Sequence, residues 1–510
     1  MVFHILFYSV IFFISLLVLL QITIFTFKIK NRSTRYRLPP SPISLPIIGH
    51  LHLIDTVPYK SFHKLSIRFG PLMHLCLGSV PCIVASSPEL AKELLKTNEL
   101  IFASRPVTIP IHNVTYNSSG FSFAPYGPYW KFMKKKSNDN KPVNVSEEIM
   151  MFANNIISRM MLGVRYSGND EDQGGETRTL VREVTDVFGQ FNLSDSFVFL
   201  CNLDLQGLAK RSIDLRQRHD VLMETIIKER EEIRNKKKKG KTSDGACDQN
   251  GVLNKDFLDI LLDLLEDENL EITITRENIK SFGLDIFTGA DTAAGAIEWT
   301  LAELINHPHM LEKAREEIYS IVGKSRLVDE SDLPNLPYLE AIVKEALRLH
   351  PPGPMLARES IEDCKIGGYD VPAKTKLFVN IWSINRNPKY WKDPLEFKPE
   401  RFIATKPLDE DCEGEGKGED YRTSSQIVKD VKGQHFDLLP FGCGRRGCPG
   451  MRLSLLEVPA VLATLIQCFD WKVVGNNGVI DMTERPGLAV PKAQPLMLVP
   501  ITRLDPFIAT

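Results

Sequence analysis

The sequence predicts a mainly α-helical fold with a minor β component, preceded by one membrane-spanning helix. Three observations carry this. Residues Ile5 to Phe27 are apolar and uncharged, interrupted only by Ser9, Ser15, Gln21, Thr23 and Thr26. A helical pattern runs unbroken from Arg276 to Asn306, which is roughly 45 Å of helix. Strand-like alternation is confined to short pieces at 72–85 and 364–381.

The apolar run at the N-terminus is long enough to cross a hydrocarbon core of about 30 Å. A cleaved signal peptide has a shorter apolar region, about 7–15 residues, with basic residues before it. Here the basic residues come after: Lys28, Lys30, Arg32, Arg35 and Arg37. The positive-inside rule then places the chain after residue 28 in the cytoplasm. A buried core helix is the alternative. Residues 1–27 are therefore read as a signal anchor and 28–49 as a basic, proline-rich hinge. Pro39, Pro40, Pro42 and Pro46 stiffen that hinge by fixing their own φ and keeping their predecessors extended.

Residues 50–510 form the body. The stretch 72–85 reads as a hairpin turning at Gly78-Ser79, and 86–98 as a helix with a serine cap and an early proline. An amphipathic helix is expected over 214–235. The basic tract 234–239 after it reads as a solvated loop able to touch a membrane surface. Further helices are expected at 276–306, 309–322, 338–349 and 451–468, and an acidic, glycine-rich surface loop at 408–420.

Composition narrows the function. With 43% hydrophobic and 25% charged residues, the 510-residue chain can bury a core and is not disordered overall. A net charge of −2 supplies no basic field for nucleic acid. Nine scattered cysteines, none in C-x-x-C spacing, argue against a disulfide scaffold or zinc ribbon and agree with a reducing compartment.

The most informative residues are FGCGRRGCPG, 441–450. Phe441, Gly444, Arg446, Cys448 and Gly450 are spaced F-x-x-G-x-R-x-C-x-G, and each type suits a haem-thiolate site. A Cys448 thiolate can ligate iron and push electron density onto it. Gly444 and Gly450 let the backbone turn tightly beneath a flat macrocycle. Arg446 offers a charge to a propionate, and Phe441 shields the sulfur. The 451–468 helix starts just after Cys448, so its N-terminal partial charge favours the thiolate. Cys443 falls outside the spacing and reads as a small buried or loop residue.

On these residues the chain resembles the cytochrome P-450 family of haem-thiolate monooxygenases, which implies the cytochrome P-450 fold and haem b. Further motifs fit the resemblance. Glu345 and Arg348 match its E-x-x-R pair and Arg401 its P-E-R-F arginine, implying a buried structural charge triad. FTGADTAAG, 287–295, is similar to the oxygen-activation motif. Gly289 there would relax the helix, and Asp291 with Thr292 would be the acid–alcohol pair that handles dioxygen and relays protons. The alternative for Thr292 is a hydroxyl bonded back to its own helix. The resemblance assigns Arg358 to a propionate. It puts Trp130 and Lys134 on a haem-flanking helix, with lysine standing where the family has arginine.

The segments 39–54, 114–132, 181–195 and 337–355 resemble plant microsomal members, most of all flavone synthase II and flavanone 2-hydroxylase. Isoflavone synthases and dihydroxypterocarpan hydroxylases are near neighbours. This implies oxidation of a flavanone at C-2 to a 2-hydroxyflavanone or flavone, in a pocket drawn from 107–115, Phe287, Ala290, Met355, Leu356, Leu488 and Val490. No G-x-G-x-x-G opens a βαβ unit, so NADPH-derived electrons would come from a separate NADPH-cytochrome P-450 reductase on the same endoplasmic-reticulum membrane. Relative to related plant sequences, roughly 30 residues are absent between Lys136 and Val143, a length change a surface loop would tolerate cheaply but one that here flanks the haem. A haem-binding chain impaired by that shortening, or a membrane protein binding no haem at Cys448, are the competing readings.

Overall fold

The computed structural model describes residues 37–104, a few positions within 149–160, and residues 171–196, 204–238, 256–403, 429–473 and 478–503, apart from isolated positions inside these ranges. The anchor at 1–27, Trp130, Lys134, the shortened stretch 136–143, the pocket segment 107–115 and the loop 408–420 lie outside the described residues.

The proline-rich segment is fastened to the body. His50 N–H donates to the Cys76 carbonyl at 2.7 Å, and Pro40 O accepts from His74 N–H at 2.9 Å. Gly49 sits at φ +59°, where a Cβ would lie 2.3 Å from the Cys76 carbonyl oxygen. Helix α1 (Pro58–Phe69) leads into the hairpin β1 (Leu72–Leu77) and β2 (Val80–Ala85), paired antiparallel with Leu72 opposite Ala85. Helix α2 (Pro88–Lys92) is capped by the Ser87 side chain and passes into a π-helical turn, Glu93–Thr97. The expected helix over 86–98 is thus broken in two.

Helices α3 (Glu171–Gly189), α4 (Leu208–Lys238) and α5 (Phe257–Glu266) come next. Helix α4 exceeds its predicted span at both ends. At its start, Asp204 accepts from the Ala209 and Lys210 amides. At its end the basic tract is drawn into the helix by acidic α5. Arg230 pairs with Asp259 at 2.5 Å, and Arg234, 14% exposed, pairs with Asp263 at 2.6 Å. Arg234 is therefore a helix-packing residue and not part of a solvated loop.

The longest buried helix, α6 (Arg276–Asn306), opens with a capping box: Thr275 accepts from Asn278 N–H and Asn278 accepts from Thr275 N–H. Around it pack α7 (Pro308–Ile321), α8 (Pro337–Leu349) and α9 (Met451–Cys468). Ala294, Ile297 and Leu301 of α6 share one apolar core with Ile342 and Ala346 of α8 and Val458 and Leu462 of α9. Such burial is worth roughly 25 cal/mol per Å² of apolar surface. Among the described residues α9 alone is long and apolar enough to span a membrane, but more than half of it is buried in this core.

The minor β component is larger than predicted. Strands β3 (Met355–Glu359), β4 (Cys364–Ile366), β5 (Tyr369–Val371) and β6 (Lys376–Asn380) are joined, beyond α9, by β7 (Phe469–Val473) and β8 (Leu498–Thr502). The main sheet has order β1-β2-β6-β3. Strand β6 runs parallel to β2 and antiparallel to β3, which puts Arg358 opposite Leu377.

Candidate active site

The cysteine loop descends from Leu439 to the start of α9. Gly442 at φ +66° and Gly444 at φ +65° give it left-handed turns that other residues adopt only with strain. Gly447 N–H donates to Gly444 O at 3.0 Å, and Cys448 N–H to Phe441 O at 2.9 Å. Cys448 emerges with an exposed thiol two residues before Gly450, the N-cap of α9. A Cβ on Gly450 would sit 3.8 Å from the Cys448 sulfur, an ordinary contact. Phe441 is half-buried against the main core. Cys443 is buried, and burial pushes its thiol up to about 11.

Beside the loop lies a small cavity lined by Leu94, Leu95, Glu99, Phe102, Arg358, Cys443 and Arg446. Both arginines are buried, Arg358 to 2% and Arg446 to 6% exposure. Two guanidiniums on a buried wall fit anionic groups that are themselves removed from water.

The middle of α6 supplies the opposite requirement. Gly289 and Thr292, one turn apart, are exposed although the helix around them is buried. A Cβ at Gly289 would meet nothing within 4 Å. The Thr292 hydroxyl donates to Gly289 O at 2.8 Å, so the back-bonded alternative is present. Thr292 is exposed, and its hydroxyl oxygen keeps the capacity to accept a hydrogen bond while donating one. Asp291 accepts from the Thr185 hydroxyl of α3 at 2.8 Å. Burial raises the Asp291 carboxyl above its ordinary range, opposed first by that hydrogen bond and then by Arg182.

Glu345 and Arg348 are fully buried and joined by two hydrogen bonds, 2.7 and 2.8 Å. Arg401 Nε reaches the same carboxylate at 3.2 Å. Arg348 also donates to the carbonyls of Asn385 and Pro394, at 2.7 and 2.8 Å, so the triad pins the chain that precedes the cysteine loop.

The suggested pocket residues do not all converge. Leu356 lies against Gly442 of the cysteine loop, and Met355 is half-buried beside it. Phe287 and Ala290 are buried in the main core. Val490 packs with Tyr59 and Trp299 and accepts the Trp299 indole N–H at 2.8 Å. Leu488 is 44% exposed. Two residues not singled out in the sequence, Thr185 and Glu99, touch the site. Their contacts span 106 and 346 residues, and no local spacing announces them.

The exposed Cys448 thiol before α9, the buried Arg358 and Arg446 and the Asp291–Thr292 pair on α6 are the features expected of a haem-thiolate enzyme. Comparison with known proteins agrees. The cytochrome P450 family profile matches residues 39–140 and 131–499. Cytochrome P450 93B2 of Gerbera hybrida is 50% identical, over 93% of each chain. The 3,9-dihydroxypterocarpan 6A-monooxygenase of Glycine max is 45% identical, over 97% of this chain and 99% of that one. A zebra fish cytochrome P450 solved with progesterone, 22% identical, shares the fold with a TM-score of 0.68 over 87% of this chain and 99% of the other. The chain belongs to the cytochrome P450 family. It is a haem-dependent monooxygenase.

Proposed function

We propose that the chain is a plant flavonoid monooxygenase that oxidises a flavanone at C-2, giving a 2-hydroxyflavanone or flavone. The observation that carries the chemistry is the exposed Cys448 thiol at the start of α9. Haem held there supplies dioxygen activation, with the thiolate pushing electron density toward the iron. Arg358 and Arg446 hold the propionates. Thr292 accepts a hydrogen bond in the oxygen-facing space, and Asp291, whose carboxyl burial raises above its ordinary range, hands on protons. NADPH-derived electrons come from a membrane reductase. An anchor at 1–27, a hinge at 28–49 and a body at 50–510 hold the enzyme on the cytoplasmic face of the endoplasmic reticulum. Leu356 and Met355 offer an apolar wall to a flat aromatic substrate. The substrate class is supported by the resemblance of 181–195 and 337–355 to flavone synthase II and flavanone 2-hydroxylase.

A second reading, pterocarpan hydroxylation, is favoured by the 45% identity to the soybean monooxygenase. The experiment is expression with a plant reductase, the reduced carbon-monoxide difference spectrum, and turnover of flavanone and dihydroxypterocarpan. A thiolate-type band with flavanone oxidation supports the first reading, and pterocarpan oxidation alone the second. A band without turnover of either supports a chain impaired by the missing residues, and reinsertion of the segment between Lys136 and Val143 then restores activity. Folded protein without haem excludes all three.

A further inference from the structure

Glu99 reaches the ligand loop from the far end of the α2 segment, and its role rests on Cys448 being the iron ligand. Helix α2 does not run on regularly. It widens into the π-helical turn Glu93–Thr97, and Asn98 closes that turn by donating both its backbone and side-chain N–H to the Glu93 carbonyl, each at 2.9 Å. Single π turns interrupt helices at functional sites more often than elsewhere, because the extra residue re-aims the chain beyond it. The side chain re-aimed in this way is Glu99, and its carboxylate meets the cysteine loop.

Glu99 Oε1 accepts the backbone N–H of Arg445, and Oε2 lies 3.7 Å from the Arg445 guanidinium. Gly444 is shaped for this contact. At φ +65°, a Cβ there would stand 2.5 Å from Glu99 Oε1 and 3.0 Å from Leu95 O. The glycine is needed for its backbone conformation and also to admit the carboxylate. The same carboxylate lines the cavity that holds Arg358 and Arg446. A loop with glycines at 442, 444, 447 and 450 gains order from each contact made outside itself, because every glycine adds backbone freedom to the unfastened loop.

We propose that Glu99 is the positioning residue of the ligand loop. Its carboxylate holds the Arg445 amide, which fixes the Gly444–Arg446 turn and through it the aim of Cys448. Its negative charge, set among the arginines that take the propionates, favours the more positive ferric state and so lowers the reduction potential. Glu99 touches neither the iron nor the substrate.

The test uses the full chain loaded with haem in microsomes and compares Glu99→Gln, Glu99→Ala, Arg445→Ala and Cys448→Ala. Glutamine keeps an acceptor and removes the charge, so Glu99→Gln should retain the thiolate-type carbon-monoxide band while its reduction potential moves positive. Alanine removes both, so Glu99→Ala should lose part of that band and release haem to apomyoglobin about tenfold faster, the scale of one charge-assisted hydrogen bond. Arg445→Ala preserves the amide and should keep the band. A wild-type potential in Glu99→Gln, or a wild-type band and haem release in Glu99→Ala, overturns the proposal. Should Glu99→Ala not accumulate, the Glu99→Gln potential decides, since a purely structural role would lower the unfolding temperature without moving a potential. Cys448→Ala separates the two levels. If it keeps the thiolate-type band, the ligand assignment itself is wrong. If it loses the band while both Glu99 variants behave as wild type, only the role of Glu99 is refuted.

Discussion

Glu457 is a buried carboxyl that the chemistry leaves unused. It lies on α9 nine residues beyond Cys448, only 4% exposed, and no hydrogen bond reaches its Oε1 among the described residues. Burial pushes its carboxyl up to about 7 from an ordinary 4.5. The fold therefore prefers the protonated form. Its contribution to stability is greatest below pH 4.5, falls as pH rises, and levels off above about 7. The loss is on the order of 3 kcal/mol. Glu457→Gln should flatten this slope, raising the unfolding midpoint at pH 8 and leaving it nearly unchanged at pH 4.5; an equal shift at both pH values would contradict the assignment. Asp291 obeys the same logic at the site. Thr185→Val removes the hydrogen bond that opposes burial, so the carboxyl should titrate higher still. The pH profile of product formed per NADPH should then shift upward in pH, with Thr185→Ser restoring it. The legibility of these residues in the sequence is uneven for a physical reason. Cys448 and Arg446 sit in a contiguous loop whose spacing is itself the signal. Thr185 and Glu99 act through partners far along the chain, and an isolated threonine or glutamate looks like any surface residue.

At the scale of elements, the helices were legible where their faces are strongly patterned. Helix α6 begins and ends where its Thr275 cap and His307-Pro308 stop place it. Helix α3 begins with polar EDQGGETRT and carries little periodicity until Leu180, so the sequence offered no start. Strands β7 and β8 are five residues each and recruit each other across a long gap, Phe469 opposite Thr502. Two glycines on α6 make a paired prediction. A Cβ at Gly289 or Gly295 meets nothing within 4 Å, so alanine at either should stabilise the helix by roughly 0.5–1 kcal/mol. Gly289 alone is on the exposed site face beside Thr292, so only Gly289→Ala should also perturb the substrate-induced spectral change. The triad makes a second. Arg348→Ala leaves the fully buried Glu345 with Arg401 as its one cation among the described residues and should cost roughly 3–5 kcal/mol. Arg401 is more peripheral, 12% exposed, and its removal should cost less in the same thermal unfolding experiment.

At the scale of the whole molecule, the proposed attachment to the membrane and the completion of the fold meet in one short stretch. The basic and proline-rich residues read from the sequence as a spacer between anchor and body. Yet the described part of that spacer is bonded to two of the body's sheets. Arg37 N–H donates to Asp370 at 2.8 Å, and Arg37 O accepts from Asp370 N–H at 2.8 Å. Pro40 and Ile48 accept from strand β1 and the turn after it, at 2.9 and 3.2 Å. His50, 1% exposed, accepts the Cys76 amide through Nδ1 at 2.7 Å. Pro40, Ile48 and His50 thus close an edge of the β1–β2 hairpin that would otherwise present unpaired backbone groups, while Arg37 pairs with β5 of the separate β4–β5 ribbon. The consequence separates two truncations. A chain beginning at Lys28 lacks the apolar run but keeps every one of these contacts. It should fold, retain the thiolate-type carbon-monoxide band, and move from the carbonate-resistant membrane pellet toward the soluble or salt-extractable fraction. A chain beginning at Pro58 removes the closing segment as well. Its unfolding temperature should fall by several degrees, because a handful of backbone hydrogen bonds at about 1 kcal/mol each is lost from one edge. Equal stability of the two truncations would show that the segment is only a tether. Retention of the Lys28 form in the carbonate-washed pellet would show that something other than the N-terminal run holds the enzyme to its membrane.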